Sequence, residues 1–93
     1  PVDLVLSDMA PNLIGIRDVD EARSVELAEV TFEAAQNFLR SGGTMVLKMF
    51  HSNDSERFLR GIRTHFERIA RRKPAASRRA SAEFYVVASG YKG

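Results

Sequence analysis

The chain has no cysteine among its 93 residues, which excludes disulfides and thiolate metal sites. Its two histidines, His51 and His65, have no third ligand at a spacing that would build a metal centre. No apolar run approaches the roughly 20 residues a membrane helix needs. The opening residues read as a strand and not as a signal peptide. There is no Gly-x-Gly-x-x-Gly turn and no P-loop, so a cofactor loop is absent or lies upstream. Ser7 lacks a local histidine–acid arrangement and is a poor nucleophile. No repeat, linker or low-complexity segment interrupts the chain.

What is present fits one small domain. Hydrophobic residues make up 44% and charged residues 28%, ordinary values for a globular protein. The net charge of +2 is unevenly spread. Glu21, Glu26, Glu29 and Glu33 make the first half acidic, whereas Arg57 to Arg79 is strongly basic and mostly arginine. Arginine forks match phosphate geometry, so this segment suits a nucleic-acid partner or a solvated basic face.

Periodicity predicts an α/β fold. Asp3 to Ser7 reads as a strand, and Met9 to Val19 as a loop containing Pro11, Asn12 and Gly15. Asp18 and Glu21 have capping-box spacing. A helix follows to about Arg40, with Val25, Ala28, Phe32, Ala35 and Leu39 as its buried stripe. Ser41-Gly42-Gly43 supplies the stop. Thr44 to Phe50 is a second strand, apolar on both faces as in a sheet covered on both sides. Strand, helix and strand form a parallel, right-handed βαβ unit. Asn53 and Glu56 suggest a second capping box before a helix that buries Phe58, Leu59, Ile62 and Phe66, with Gly61 available for close packing. Arg68 to Lys73 reads as a strand ended by Pro74, Ala75 to Ala82 as a basic loop, and Glu83 to Ser89 as the last strand. The connection from Lys73 to Glu83 is too short for a helical crossover, so the last two strands form an antiparallel hairpin. A strand that opens the chain and ends in an acid is expected mid-sheet, which points to the C-terminal part of a longer α/β domain.

Three residues stand out chemically. Asp8 ends the first strand. Lys48 lies within the apolar second strand, where a lysine is rarely buried unless paired; a strand-end lysine can also snorkel to water. The carboxyl ends of parallel strands are where ligands bind in open α/β sheets. If the last strand returns antiparallel beside the second, Glu83 starts at the same edge. Each residue has a bland reading by itself, as a loop cap, a snorkelling lysine or a solvated strand start. Their joint placement is the informative observation.

Four linked motifs carry a family resemblance. They are Ser7-Asp8-Met9-Ala10-Pro11-Asn12; Gly42-Gly43-Thr44 running into Val46-Leu47-Lys48-Met49-Phe50; Lys73-Pro74 with Ser77-Arg78; and Ser81, Glu83 and Tyr85 at alternate positions. Over essentially the whole chain, their order and spacing resemble the FtsJ (RrmJ) family of ribosomal RNA 2′-O-methyltransferases. The segment Gly15-Ile16-Arg17-Asp18 with Asp20 looks closer to mitochondrial members. The resemblance implies the C-terminal half of a Rossmann-like fold dependent on S-adenosylmethionine, with a mostly parallel sheet and an antiparallel last strand. The N-terminal cofactor-binding half is then absent from residues 1–93, and this portion alone is expected to be inactive. The implied activity is methyl transfer to the 2′-hydroxyl of a uridine in large-subunit rRNA. The implied catalytic residues are Asp8, Lys48 and Glu83 of a Lys-Asp-Lys-Glu tetrad whose first lysine lies upstream. Asp8, Met9 and Ala10 would touch the cofactor, and no metal is implied.

Arg71, Arg72, Lys73, Arg78 and Arg79 could form a phosphate-contacting rim, giving salt-sensitive affinity without sequence choice. The expected setting is the mitochondrial matrix or, alternatively, the bacterial cytoplasm, with a monomer acting on rRNA or a ribosomal particle away from membranes. Lys48 would accept the hydroxyl proton only in its neutral form. Burial and a second lysine favour that form, whereas Asp8 and Glu83 favour the charged one. A charged Lys48 would instead orient the hydroxyl and stabilise the developing oxyanion. The competing reading is a non-catalytic RNA-binding α/β module. An amino-methyltransferase fits less well, because the stretch after Asp8 lacks an aromatic residue to stack a base.

Overall fold

The computed structural model describes residues 1–7, 17–73 and 83–93. Their elements are β1 (Val2–Ser7), α1 (Arg17–Phe38), β2 (Leu39–Phe50), α2 (Asn53–Ile62), a 3-10 turn (Arg63–His65), β3 (Phe66–Arg72) and β4 (Glu83–Tyr91). The strands lie side by side in the order β1-β2-β4-β3. β1 and β2 are parallel, with Leu4 opposite Thr44 and Ser7 opposite Leu47. β4 runs antiparallel to both β2 and β3. The expected βαβ unit and terminal hairpin are both present, and the sheet of this chain is mixed.

One face of the sheet is the core. Met45, Leu47 and Met49 of β2 alternate inward and meet Phe84, Val86 and Ala88 of β4, with at most 1% of any of the six exposed. Ala28 and Ala35 of α1, Leu59 and Ile62 of α2, and Phe66 and Tyr91 join the same cluster.

The other face is open among the described residues, although the pattern of β2 predicted cover on both sides. Leu4 is 53% exposed and Leu6 61%, and they lie in register with Thr44 and Val46 of that face. Handedness explains the single layer. The crossovers β1-α1-β2 and β2-α2-β3 step across the sheet in the same direction. Two right-handed crossovers in one direction place both helices on one side.

Element ends depart from the sequence pattern where packing overrides spacing. α1 stops at Phe38, and Leu39 already begins β2. Leu39 remains buried, so its place in the helical stripe is filled from a strand. The register jumps from Val2 opposite Leu39 to Leu4 opposite Thr44, and Gly42 takes a φ of +84° in the intervening segment, a region open mainly to glycine. At the other end, α1 already includes Arg17, so Asp18 falls within the first turn and not ahead of it.

Ser52 caps α2. Its Oγ accepts from the Ser55 amide at 3.0 Å, and the Ser55 Oγ accepts from the Ser52 amide at 3.0 Å. The expected Asn53–Glu56 box is therefore displaced by one residue. This register buries Ser55, Leu59 and Ile62 and releases Glu56 for another contact. Phe66, expected on the helix, instead opens β3 after the 3-10 turn. It packs there against Tyr91, with ring centroids 5.3 Å apart.

Gly61 does not serve close packing: a Cβ built on it meets nothing within 4 Å. Replacing Gly61 with alanine is therefore expected to stabilise the protein by up to ~1 kcal/mol, through a better helix propensity and a less flexible unfolded chain. Urea unfolding measures this, and a loss of stability would contradict it. Among the described residues, no helix is long and apolar enough to cross a membrane.

Candidate functional site

The sheet edge at the carboxyl end of β2 brings two of the sequence-derived candidates together. Lys48 Nζ lies 3.0 Å from Glu83 Oε2, with side chains 23% and 17% exposed. The register explains the contact. Lys48 sits opposite Tyr85 and Phe50 opposite Glu83, so Glu83 is the diagonal neighbour of Lys48 on the same sheet face. Lys48 Nζ also lies 5.9 Å from the centroid of the Tyr85 ring, within reach of a cation–π attraction. A carboxylate at this distance favours the charged ammonium. Most of the lysine stem is sheltered while its head is held at the sheet edge, which restricts where the charge can point.

Asp8, Met9 and Ala10 lie outside the described residues, as do Arg78 and Arg79. What precedes Asp8 is placed: Ser7 sits opposite Leu47, one residue before Lys48.

Three supporting residues were not legible as such in the sequence. Tyr85 belonged to a quoted motif but had no role there; its ring flanks Lys48. Ser24 is buried on α1, and its Oγ accepts from the Phe50 amide at 3.2 Å. That bond ties the end of β2 to the helix, two residues beyond Lys48. The only trace in the sequence is that Ser24 sits four residues before Ala28, in register with the buried stripe. Glu56 is the third. Its oxygens take the Arg71 fork in two hydrogen bonds of 2.6 and 2.7 Å.

That last contact changes the picture of the basic rim. Arg71 is held by Glu56 and lies 5.4 Å from the Phe84 ring centroid, so its guanidinium clamps α2 to β3. The hydrogen bond from Arg71 holds the Glu56 carboxyl below its ordinary range, and the same bond raises Arg71. The pair is largely solvent-exposed, with side chains 44% and 37% accessible, so its contribution to stability is screened and small. Arg72 and Lys73 are exposed at the end of β3, with Arg72 opposite Tyr85.

Both histidines are packing residues. His51 stacks on Phe84, with centroids 4.3 Å apart, and His65 meets Phe32 edge-on at 5.2 Å. Among the described residues, no three of His, Asp and Glu gather as a metal ion would require.

Comparison with known proteins decides the family. The FtsJ-like methyltransferase family matches residues 1–91. The chain belongs to that family. Within this FtsJ-like group it is 45% identical over 92 residues to a ribosomal RNA large subunit methyltransferase E of Coxiella burnetii, covering 99% of the chain and 43% of that relative. It is 48% identical over 90 residues to the protein of the same name from Xanthomonas campestris pv. campestris, covering 97% of the chain and 43% of the relative. The FtsJ-like chain also superposes on a crystal structure described as that of a ribosomal RNA methyltransferase from Plasmodium falciparum. The TM-score is 0.86 at 26% identity, covering 99% of the chain and 48% of that structure. The chain thus spans less than half the length of these relatives. These curated relatives are bacterial and lend no support to the mitochondrial reading of residues 15–20.

Proposed function

We propose that residues 1–93 form the catalytic, C-terminal part of an enzyme that methylates the 2′-hydroxyl of a uridine in large-subunit rRNA. The observation that carries this reading is the sheltered Lys48–Glu83 pair, 3.0 Å apart, at the carboxyl end of a strand in a parallel pair. That is the position where open α/β sheets bind ligands. Support also comes from the family match and from relatives named as rRNA methyltransferases. The bacterial relatives favour a bacterial cytoplasmic setting over the mitochondrial matrix.

S-adenosylmethionine, when bound, supplies a methyl group activated by its sulfonium. Asp8, Met9 and Ala10, next in sequence after β1, contribute to holding it, and a portion preceding residue 1 supplies the rest of the pocket and a further lysine. The open face bearing Leu4 and Leu6 fits this division, because exposed aliphatic side chains in register across two strands call for a covering layer.

Within this chain, Glu83 aims the Lys48 side chain through their 3.0 Å contact. The ammonium donates to the ribose 2′-oxygen, orients its lone pair toward the methyl and stabilises negative charge as the hydroxyl proton passes to solvent water. A charged Lys48 acts by orientation and electrostatics and not as the proton acceptor. Tyr85 restricts Lys48 from the side, and Ser24 fixes the strand end that presents it. Alignment of hydroxyl and methyl then supplies much of the rate.

The test uses protein comprising both portions, radiolabelled S-adenosylmethionine and large ribosomal subunits. Nuclease digestion is expected to yield label in 2′-O-methyluridine, and residues 1–93 alone are expected to transfer none. Label in a base would refute the reaction assigned. Calorimetry showing RNA binding without cofactor binding would instead favour a non-catalytic RNA-binding module.

A further inference from the structure

We infer that the outer groove between α2 and β3 is a second RNA-backbone contact, separate from the Lys48–Glu83 edge and continuous with it; this rests on the rRNA methyltransferase reading above. The groove has a volume of about 560 Å³ and is lined by Arg60, Arg63, Arg68 and Arg71, with Glu56 and Glu67. These arginines come from separate elements: Arg60 from the last turn of α2, Arg63 from the 3-10 turn, and Arg68 and Arg71 from β3. Four arginines face two glutamates, and one glutamate, Glu56, is already taken by Arg71. Among the described residues, Arg60, Arg63 and Arg68 make no ion pair, and all three are exposed. Their charge is available to a ligand.

A purely structural explanation covers only part of this. Arg60 and Arg63 complement the carbonyl end of α2. Arg68 lies on a strand and has no such reason to be there. It nonetheless lines the same concavity.

The position of the groove fits an extended polyanion. β3 is the edge strand of the described sheet. Arg72 sits opposite Tyr85 on β4, and Tyr85 sits opposite Lys48 on β2. Lys48, Tyr85 and Arg72 share the site face, whereas Arg71, opposite Val86, lies on the helix face, so a strand of RNA whose ribose reaches Lys48 enters the groove by passing Tyr85 and Arg72 and bending around the edge strand β3. Arg68 lies four residues before Arg72, about 13 Å away at the rise of a strand, room for more than one phosphate. The exposed residues of the groove are charged, whereas Leu59 and Phe66 beneath them are buried. Its one partly exposed aliphatic residue is Ile69, half-buried in the wall, and it has no aromatic anchor of the kind that holds a protein partner. Arginine forks with an open face match backbone phosphates.

The experiment compares the two-portion protein with its Arg60→Gln/Arg63→Gln/Arg68→Gln variant. Binding of a fluorescent rRNA fragment is titrated at several salt concentrations, alongside binding of S-adenosylmethionine. The variant is expected to bind RNA roughly tenfold or more weakly, with the slope of log affinity against log salt reduced by about 2. Cofactor affinity should be unchanged and Tm should fall by only a few degrees, from the lost charges at the end of α2. Lysine at the same positions should restore most of the binding. Unchanged RNA affinity and salt slope, in a protein whose wild type binds RNA, would overturn the groove assignment and leave the methyltransferase reading intact. A wild type that binds no RNA would overturn both. Loss of binding to an acidic ribosomal protein with RNA binding intact would assign the groove to a protein and overturn the proposal.

Discussion

Lys48→Ala in the two-portion enzyme is expected to lower methyl transfer by at least about 10²-fold, within the usual range for loss of a group acting on the transferred proton or oxyanion. Affinity for RNA and for S-adenosylmethionine should change little. The reason is positional: the ammonium is one point charge, fixed by Glu83 at 3.0 Å and flanked by the Tyr85 ring. No other side chain of β2 reaches that face at the strand end with a charge. The substitution also leaves the mostly sheltered Glu83 carboxylate without its partner, which destabilises the strand end. The double variant Lys48→Ala/Glu83→Gln separates the two effects. It should regain stability but not turnover. Single-turnover rates with bound cofactor are the decisive readout, and a rate within about threefold of wild type would remove Lys48 from the reaction.

Phe84→Ala is expected to have the largest effect on stability, about 3–5 kcal/mol. Phe84 is 1% exposed and sits opposite Met49 in the central strand pair. It also carries His51 stacked on its ring and the Arg71 guanidinium 5.4 Å from its centroid. Removing the ring opens a cavity and frees the two side chains that join the end of β2 to β3. A loss of this size is a large fraction of the stability of an ordinary domain. Because Glu83 and Tyr85 flank Phe84, turnover should fall with it. Urea unfolding at fixed pH measures the loss, and a value under about 1 kcal/mol would show that the site contributes little to the core.

The Lys48 result tests chemistry and the Phe84 result tests the scaffold that delivers it. The two sets of contacts are joined through adjacent residues of one strand. Glu83 and Tyr85 point to the site face and Phe84 to the core, so the alternation of β4 links the two directly. Ser24 contributes from the core side by holding the Phe50 amide. A site built this way is sensitive to packing on the opposite face of the sheet.

The apolar runs of β2 and β4, the helical stripe of α1 and the short connection before Glu83 were enough to read a βαβ unit followed by a hairpin. Those signals are local, set by side-chain periods of two and 3.6 and by the length of chain needed to cross a sheet. The pairing of Lys48 with Glu83 could be posed from the sequence only as a condition, that β4 return beside β2. The tertiary structure decided it through the register that sets Phe50 opposite Glu83. Three further features depended on partners distant in sequence: the entry of Phe66 into β3, the Ser24 bond to Phe50 and the capture of Arg71 by Glu56; the Ser52 cap is local, but packing chose it. Two competing caps one residue apart, or an arginine with both a phosphate and a carboxylate in prospect, are settled by which arrangement buries Ser55 and Leu59 and which oxygens stand opposite. Local spacing does not contain that information; the packed sheet does.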